Sequence, residues 1–463
     1  MNILLANPRS SSAFQAFGFV FPSLGLLYVA ASAEKEGYRI KVEDFNISKN
    51  NPASLDVSGF DIVGITSDTR RFPSAVEIAQ RAKEKGRCVV MGGVHPPFVD
   101  EEILKAGYAD FVVKGEGEIT FPALLNAIKL NKDLQQIDGI SFLKDGKIIR
   151  TKPRALIENL DSLPSPARHL IDIEAYKRAG FRYGGKRPIA VISTSRGCPY
   201  TCSFCLTPAI YGRGWRARSA HSIIAEIEEL YHKYNYRAIA FCDDNFTVSP
   251  KRVIEVSNLI MEKGLDIWWW CLSSPNILLK NEDMLSIMAK SGAKTIYIGV
   301  ESASPATLKE FNKSMEEDTA YKAVNLLKKN GIQIFASYII GGLNDDIKAI
   351  LRTIKLAKRL DTEVAQFSIL TPYPGTGLYE QIKHILRHKD WGKYDGVHLV
   401  FRHKNISYVF MQLLLILAYL SFYVRGVRAV KGFLSVFIKN TPIFKTRLKR
   451  WQVGVGKDFP ASQ

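Results

Sequence analysis

Residues 189–205 read Ile189-Ala-Val-Ile192-Ser-Thr-Ser-Arg-Gly-Cys198-Pro-Tyr-Thr-Cys202-Ser-Phe-Cys205, an apolar run of strand length opening into a short loop that carries three thiols. Three thiolates on one loop can hold three irons of a cuboidal 4Fe-4S cluster and leave the fourth iron open to a small molecule. The competing reading is tetrahedral zinc completed by a distant histidine, although zinc loops usually pair ligands as Cys-x₂-Cys and need no strand before them. The other cysteines are Cys88, Cys242 and Cys271. Six in 463 residues, three of them crowded together, suit a metal or cluster site in a reducing compartment rather than a disulfide framework. The remaining three, on apolar stretches, read as packed core thiols.

Outward from this loop, apolar strands alternate with helices at least six times. Strands are expected at Ile189–Ser193, Ala238–Cys242, Ile267–Cys271, Thr295–Gly299, Gln333–Tyr338 and Ala365–Leu370, with helices at His221–Lys233, Lys251–Lys263, Met284–Ser291, Thr319–Asn330 and Asp346–Leu360. Six βα units are too few for a closed eight-stranded barrel and suit an open, partial (β/α)6 one, with its chemistry at the strands' C-terminal ends.

Before it, strands at Asn2–Ala6, Tyr38–Asp44, Asp61–Thr66, Cys88–Met91 and Phe111–Val113 alternate with helices at Leu24–Lys35, Pro73–Lys85 and Phe121–Leu130. That spacing predicts βαβ units and a doubly wound, Rossmann-like parallel sheet, whose ligands lie beyond the strands' C-terminal ends. Those ends carry Asn7-Pro-Arg-Ser10, Ser67-Asp68-Thr69-Arg70, Gly92-Gly93-Val94-His95 and Lys114-Gly115-Glu116-Gly117, where glycines and small polar groups allow a bulky ligand to approach. Each loop taken alone also fits an ordinary strand-to-helix turn. A hairpin turning at Asp145-Gly146 and a connection with Pro164 and Pro166 follow. The expected division is 1–135 for the first unit, 136–185 for hairpin and linker, 186–380 for the barrel, and 381–463 for a basic, apolar, helical extension.

The Cys-x₃-Cys-x₂-Cys spacing, with Phe204 before the last cysteine, resembles the radical S-adenosylmethionine (SAM) superfamily. Asp61-Ile-Val-Gly-Ile-Thr-Ser67, Gly92-Gly-Val-His95-Pro and Val113-Lys-Gly-Glu-Gly-Glu118 extend the likeness to its cobalamin-binding branch. In the second unit the matching stretches are Phe241-Cys-Asp-Asp-Asn-Phe246, Ile298-Gly-Val-Glu-Ser302, Ile339-Ile-Gly-Gly-Leu343 and Thr371-Pro-Tyr-Pro-Gly-Thr376. The resemblance implies an α/β chain: a cobalamin-binding domain, a TIM-like radical SAM barrel and a helical basic tail. It implies a 4Fe-4S cluster on Cys198, Cys202 and Cys205, whose open iron chelates the amino and carboxylate groups of SAM. An electron from the reduced cluster then cleaves SAM to a 5'-deoxyadenosyl radical that abstracts hydrogen from substrate. By position, Phe204 lies near the adenine, Glu301 and Ser302 contact the methionine or ribose portion, and Asp243, Asp244, Ser337 and Tyr338 face the same cavity. For Glu301 the alternative is a salt bridge capping the following turn.

Cobalamin is expected on Ser67 to Arg70, Gly92, Gly93, His95 and Gly115 to Gly117. Many cobalamin domains present an axial histidine after their first strand, but Asn7 to Ser23 contains none and His95 is the first histidine of the chain. Axial ligation by that histidine is therefore excluded, and His95 either touches the corrin periphery or is structural. With cobalamin, one SAM methylates cob(I)alamin, a second yields the radical, and the substrate radical takes the methyl group from methylcobalamin. The expected reaction is methylation of an unactivated carbon in a small or lipid-like molecule. The alternatives are a radical SAM cyclase or rearrangement catalyst without cobalamin and, in another class, a regulatory module that binds metal or a cluster without turnover. The run Trp268-Trp269-Trp270 suits many apolar substrates without choosing one.

The net charge of +18 invites nucleic acid as a partner, but its distribution argues otherwise. Residues 381–463 carry fifteen Lys or Arg against three acids, so +12 of the excess lies there. The first unit has only Cys88, too few cysteines for a transfer-RNA methylthiolating relative, and no nucleic acid is expected. The start of the chain has no basic n-region and too short an apolar run for a signal peptide, so a cytoplasmic location is expected. Residues 405–424 pass without a charge. They read as part of a helix pair on an anionic membrane surface, as a helix packed on the barrel, or as a span. The basic excess would also suit an acidic electron donor such as flavodoxin or ferredoxin.

Overall fold

The first sheet contains β1 (Asn2–Asn7), β2 (Arg39–Asp44), β3 (Ile62–Ser67), β4 (Cys88–Gly93), β5 (Phe111–Val113), β6 (Ile140–Lys144) and β7 (Lys147–Arg150). The computed structural model describes residues 1–10, 20–48, 50–313 and 315–424. Strand order is β2-β1-β3-β4-β5-β6-β7, with the first five parallel and the hairpin antiparallel at one edge. The order reverses between β1 and β3, the switch point where a doubly wound sheet opens a ligand crevice. Leu124 and Leu125 of helix Gly117–Lys129 and Leu26 of helix Leu24–Lys35 pack on one face, and Ile78 of helix Phe72–Glu84 with Ile103 on the other. The hairpin turns through Asp145 (φ 50°) and Gly146 (φ 72°), both left-handed as a two-residue primed turn requires. It extends the first sheet rather than standing between two units.

The second sheet holds β8 (Arg182–Tyr183), β9 (Arg187–Ile192), β12 (Ala238–Phe241), β13 (Trp268–Ser273), β14 (Ala293–Glu301), β15 (Gln333–Ile340) and β16 (Val364–Ile369), while β10 (Ser195–Gly197) and β11 (Trp215–Ala217) pair separately. Its order, β16-β15-β14-β13-β12-β9-β8, contains the six expected parallel strands plus the short antiparallel β8. The linker is tied to this barrel by a buried ion pair, Arg168 to Glu226 at 2.6 Å. Trp269 is buried in the barrel core. Trp268, at the start of β13, lies under the Arg187 guanidinium, 4.5 Å from its ring centroid. The tryptophans therefore serve the core and the N-terminal rim, not the C-terminal mouth.

An open barrel leaves an edge of unpaired backbone groups at β16. Helix Tyr408–Tyr423 covers it. The Tyr419 hydroxyl accepts from the Phe367 amide (3.2 Å) and donates to its carbonyl (3.0 Å), and Tyr423 does the same at Ala365 (3.1 and 2.9 Å). Met411, Leu414, Leu415, Ala418 and Phe422 bury its inner face in the barrel core. Of the three readings of 405–424, packing on the barrel describes this inner face, and no helix among the described residues is long and apolar enough to cross a membrane. The apolar stretch Phe433 to Ile438, which would supply the second helix of the expected pair, lies outside the described residues.

The extension expected from residue 381 packs on both units where it begins. Leu386 bridges to Phe401, and Trp391, Tyr394 and Val400 between them enter the hydrophobic core of the first unit. Residues 386–401 therefore clamp the first unit to the barrel.

Candidate active site

A cavity of about 710 Å³ opens at the C-terminal ends of the barrel strands. Cys198, Cys202 and Cys205 line it together with Phe204, Asp244, Glu301, Ser337 and Tyr338, and Asp68, Thr69 and Arg70 reach in from the first unit. The cysteine loop is fixed from outside by backbone and side-chain hydrogen bonds. Ser203 donates its amide to the Phe311 carbonyl (3.0 Å), its carbonyl accepts from the Leu378 amide (2.9 Å), and Asn312 donates to Thr201 (2.7 Å to the hydroxyl). Phe204 meets Phe311 edge to face at 5.1 Å. Burial pushes all three thiols up, Cys202 to about 11, with Lys313 the main opposing charge there. Holding three thiolates in such a site calls for bound cations. Among the described residues no three His, Cys, Asp or Glu side chains converge on a single ion site. The thiols share a cavity wall instead, a donor set that fits the separate irons of a cluster.

Two expected cofactor contacts lie elsewhere. Asp243 is buried off the cavity, accepting from the Thr194 amide and the Ser195 hydroxyl (both 2.6 Å) with Arg252 at 3.6 Å. It holds the strand exit that launches the cysteine loop. Ser302 is likewise buried, with its hydroxyl against that of Thr353 (3.2 Å) and accepting from the Ser304 amide (3.0 Å). Asp244 does face the cavity, accepting from the Thr207 hydroxyl at 2.9 Å, and burial raises its carboxyl above the usual range.

Glu301 sits at φ 65° after an irregularity in β14, a costly conformation for a side-chain-bearing residue and one typical of functional positions. Its carboxylate accepts from Lys313 at 2.6 Å, and Lys313 also donates to the Gly299 carbonyl at 2.8 Å. Gly299 leaves room for this pair, since a Cβ there would stand 2.2 Å from the Glu301 Oε1. The salt bridge weighed for Glu301 is thus present, but it lies in the cavity wall. An ammonium beside a carboxylate matches the carboxylate and ammonium of an α-amino acid. Lys313 escaped the sequence reading because no periodicity marks it.

A second cavity of about 420 Å³ lies at the β1/β3 switch point and shares Asp68 and Val94 with the first. Ser67, Gly92, Gly93, Gly115, Glu116 and Gly117 line it as expected, together with Gly64. Thr69 and Arg70 open instead into the first cavity. Six glycines in its lining leave bare backbone beside apolar and aromatic side chains such as Leu26, Tyr28, Phe121 and Tyr211, which fits a broad ligand approaching closely. His95 lines neither cavity. It is fully buried between Phe72 and Trp391 (ring centroids 4.7 and 5.0 Å), and burial lowers its pKa to about 3, so it is a neutral core residue. Cys242, expected as a core thiol, is instead exposed into the second cavity.

The units meet at a buried ionic cluster. Arg196, two residues before Cys198, donates to Glu116 (2.7 Å) and Glu118 (2.5 Å). Arg216 on β11 donates to both Glu116 oxygens (3.0 Å each). Gly197 permits the β10–β11 approach, because a Cβ there would stand 2.2 Å from the Gly214 carbonyl oxygen. The cluster joins the wall of one cavity to the thiol loop of the other. It also accounts for helix Gly117–Lys129 starting before the expected Phe121, since Glu118 lies in the added turn.

Comparison with known proteins agrees with this two-unit geometry. A model of the radical SAM superfamily matches residues 192–357, and one of the B12-binding domain matches residues 13–125. An uncharacterized methyltransferase of Pyrococcus horikoshii is 37% identical over 92% of this chain and 93% of its own. The bacteriochlorophyllide d C-12(1)-methyltransferase of Chlorobaculum tepidum is 30% identical, covering 87% of this chain and 83% of its own. An anaerobic magnesium-protoporphyrin IX monomethyl ester cyclase of Rubrivivax gelatinosus is 27% identical, covering 86% and 73%. Among solved structures, the cobalamin-dependent S-adenosylmethionine radical enzyme OxsB with aqua-cobalamin bound superposes with a TM-score of 0.76 at 17% identity, covering 98% of this chain and 71% of that one, a likeness of fold.

Proposed function

The chain belongs to the cobalamin-binding radical SAM enzymes, and on that premise we propose that it methylates an unactivated carbon of a small or lipid-like molecule in the cavity between its two units. The observation carrying this reading is the junction of a thiol-lined cavity with a glycine-walled one at Asp68 and Val94. When bound, the 4Fe-4S cluster supplies the electron that cleaves SAM, and cobalamin supplies methyl-transfer chemistry. Cys198, Cys202 and Cys205 are the assigned cluster ligands. Lys313 and Glu301 orient the amino-acid end of SAM, while Phe204, Asp244, Ser337 and Tyr338 bound its other parts. Gly64, Ser67, Gly92, Gly93 and Gly115 to Gly117 form the wall assigned to cobalamin. The ionic cluster keeps that wall in register with the thiol loop, and the clamp of residues 386–401 restricts water. The electron is proposed to come from an acidic donor such as flavodoxin or ferredoxin, and the enzyme to work in the cytoplasm, peripheral to a membrane surface.

The test is anaerobic reconstitution after growth with cobalamin. Bound corrinoid, the visible absorption of a cluster and reductant-dependent 5'-deoxyadenosine are expected. Protein that binds no corrinoid yet cleaves SAM reductively would select the ring-forming alternative, which the cyclase relative favours. Lack of reductive cleavage would overturn the enzyme reading.

Lys313→Met should raise the SAM concentration for half-maximal cleavage about 10- to 100-fold, the value of a charge-assisted hydrogen bond lost in a buried site. Cluster iron should be unchanged and Lys313→Arg should restore much of the loss. A titration of 5'-deoxyadenosine formation against SAM reads both.

A further inference from the structure

Helix Tyr408–Tyr423 is apolar on both sides. Opposite the face buried in the barrel, Val409, Phe410, Leu413, Ile416, Leu417 and Leu420 are exposed, four of them by more than half. The neighbouring helix Ile347–Leu360, which packs beside it, exposes Ile347 and Leu351 (41% and 43%) among Lys348, Arg352, Lys355 and Lys358. That helix contains no acidic residue. Contiguous apolar surface of this kind, rimmed mainly by cations with the exposed carboxylates Asp346 and Asp361 confined to the caps of helix Ile347–Leu360, marks an interaction site.

We propose that these two helices form the face by which the enzyme docks on an anionic lipid bilayer, the apolar stripe entering the headgroup–acyl boundary and the cations meeting lipid phosphates. The proposal gives a surface to the peripheral location proposed above and is independent of the methyl-transfer chemistry. Charge complementarity selects the occupant. The chain continues past Val424 for 39 residues with nine Lys or Arg and one acid, Asp458. Its charge has the same sign as the exposed cations of helix Ile347–Leu360, so folding it back over the stripe sets like charges together. A second copy seated on the stripe would bring two such cationic helices together at the same cost. An anionic bilayer attracts the helix and the tail at once, and buries the apolar stripe between them.

The experiment is co-sedimentation of the full chain with vesicles of phosphatidylcholine alone and of phosphatidylcholine with phosphatidylglycerol in equal parts. Binding to the anionic vesicles, weakened by salt, is expected. The triple variant Lys348→Glu, Arg352→Glu, Lys355→Glu should lower the partition constant about a hundredfold or more, at roughly 1 kcal/mol for each cation near an anionic surface. The exposed triple Leu413→Glu, Leu417→Glu, Leu420→Glu should lower it comparably. Both variants should leave reductive SAM cleavage in solution unchanged, and the cation triple alone suffices if the leucine triple does not fold. Wild-type protein that ignores anionic vesicles overturns the proposal. So does binding that survives both triples, which assigns it to the tail. A wild-type dimer that the leucine triple converts to monomer, with no vesicle binding, assigns the face to a second copy and overturns it too.

Discussion

Replacing Glu116 by Leu is expected to cost about 3–5 kcal/mol of stability, the range for removing one partner of a buried ion pair. Its carboxylate, 3% exposed, is held by Arg196, by Arg216 and by the Ile157 amide at 2.6 Å. Without it, among the described residues, Arg216 keeps its donation to the Ile157 carbonyl and its place over the Tyr211 ring, and Arg196 keeps Glu118 and its place over the Tyr28 ring. Urea unfolding should show the loss as a lowered midpoint. Glu116→Gln retains the shape and an acceptor for Ile157, and should lose less. The double variant Glu116→Leu, Arg216→Met should recover part of the loss, because it removes the stranded charge together with its partner. A midpoint in Glu116→Leu within about 1 kcal/mol of wild type would show that water enters the cluster and screens it. The functional consequence follows from position: Glu116 walls the second cavity and Arg196 lies two residues before Cys198. Corrinoid retention should fall along with stability.

The sheets and the thiol loop were legible in the sequence because their signals are local. Alternation every two or every 3.6 residues places strands and helices, and three cysteines on one loop need no distant partner. Side-chain facing at strand ends was less legible. Asp243 and Asp244 are adjacent, so one faces the cavity and the other the structure behind it; only the approach of Thr194, Ser195 and Arg252 decides which. Lys313 enters the site through a loop twelve residues after Glu301, at a distance no pattern encodes. His95 stands in the expected strand-end loop, yet Trp391, almost 300 residues later, closes over it and removes it from the cavity. The basic excess at the chain's end concealed a segment, 386–401, whose Trp391, Tyr394 and Val400 belong to the first unit's core. Charge counts describe solvent-facing residues and say nothing of the apolar ones among them.

Changing Cys202 to Ala is expected to abolish reductive SAM cleavage, by about a thousandfold or more, since cluster iron held by three thiolates cannot keep its one open site when a ligand is lost. The same change should leave metal-free folding within about 1 kcal/mol of wild type, the range of a small, partly exposed substitution away from buried partners. Ser203, Asn312 and Leu378 hold the loop through groups that do not involve the Cys202 thiol. Loss of iron without loss of fold is therefore the signature of a ligand, read by iron analysis beside a melting curve. Cys271→Ala should give the reverse pattern. Its thiol is fully buried in the barrel core, so iron should be retained while stability falls by about 1 kcal/mol, the cost of a small cavity. Cys242→Ala separates the two cavities. Because Cys242 faces the second and not the first, iron content should remain at the wild-type level, and any effect should appear in corrinoid retention. Iron loss in Cys242→Ala comparable to that in Cys202→Ala would place a ligand outside the triplet and sink the three-cysteine assignment.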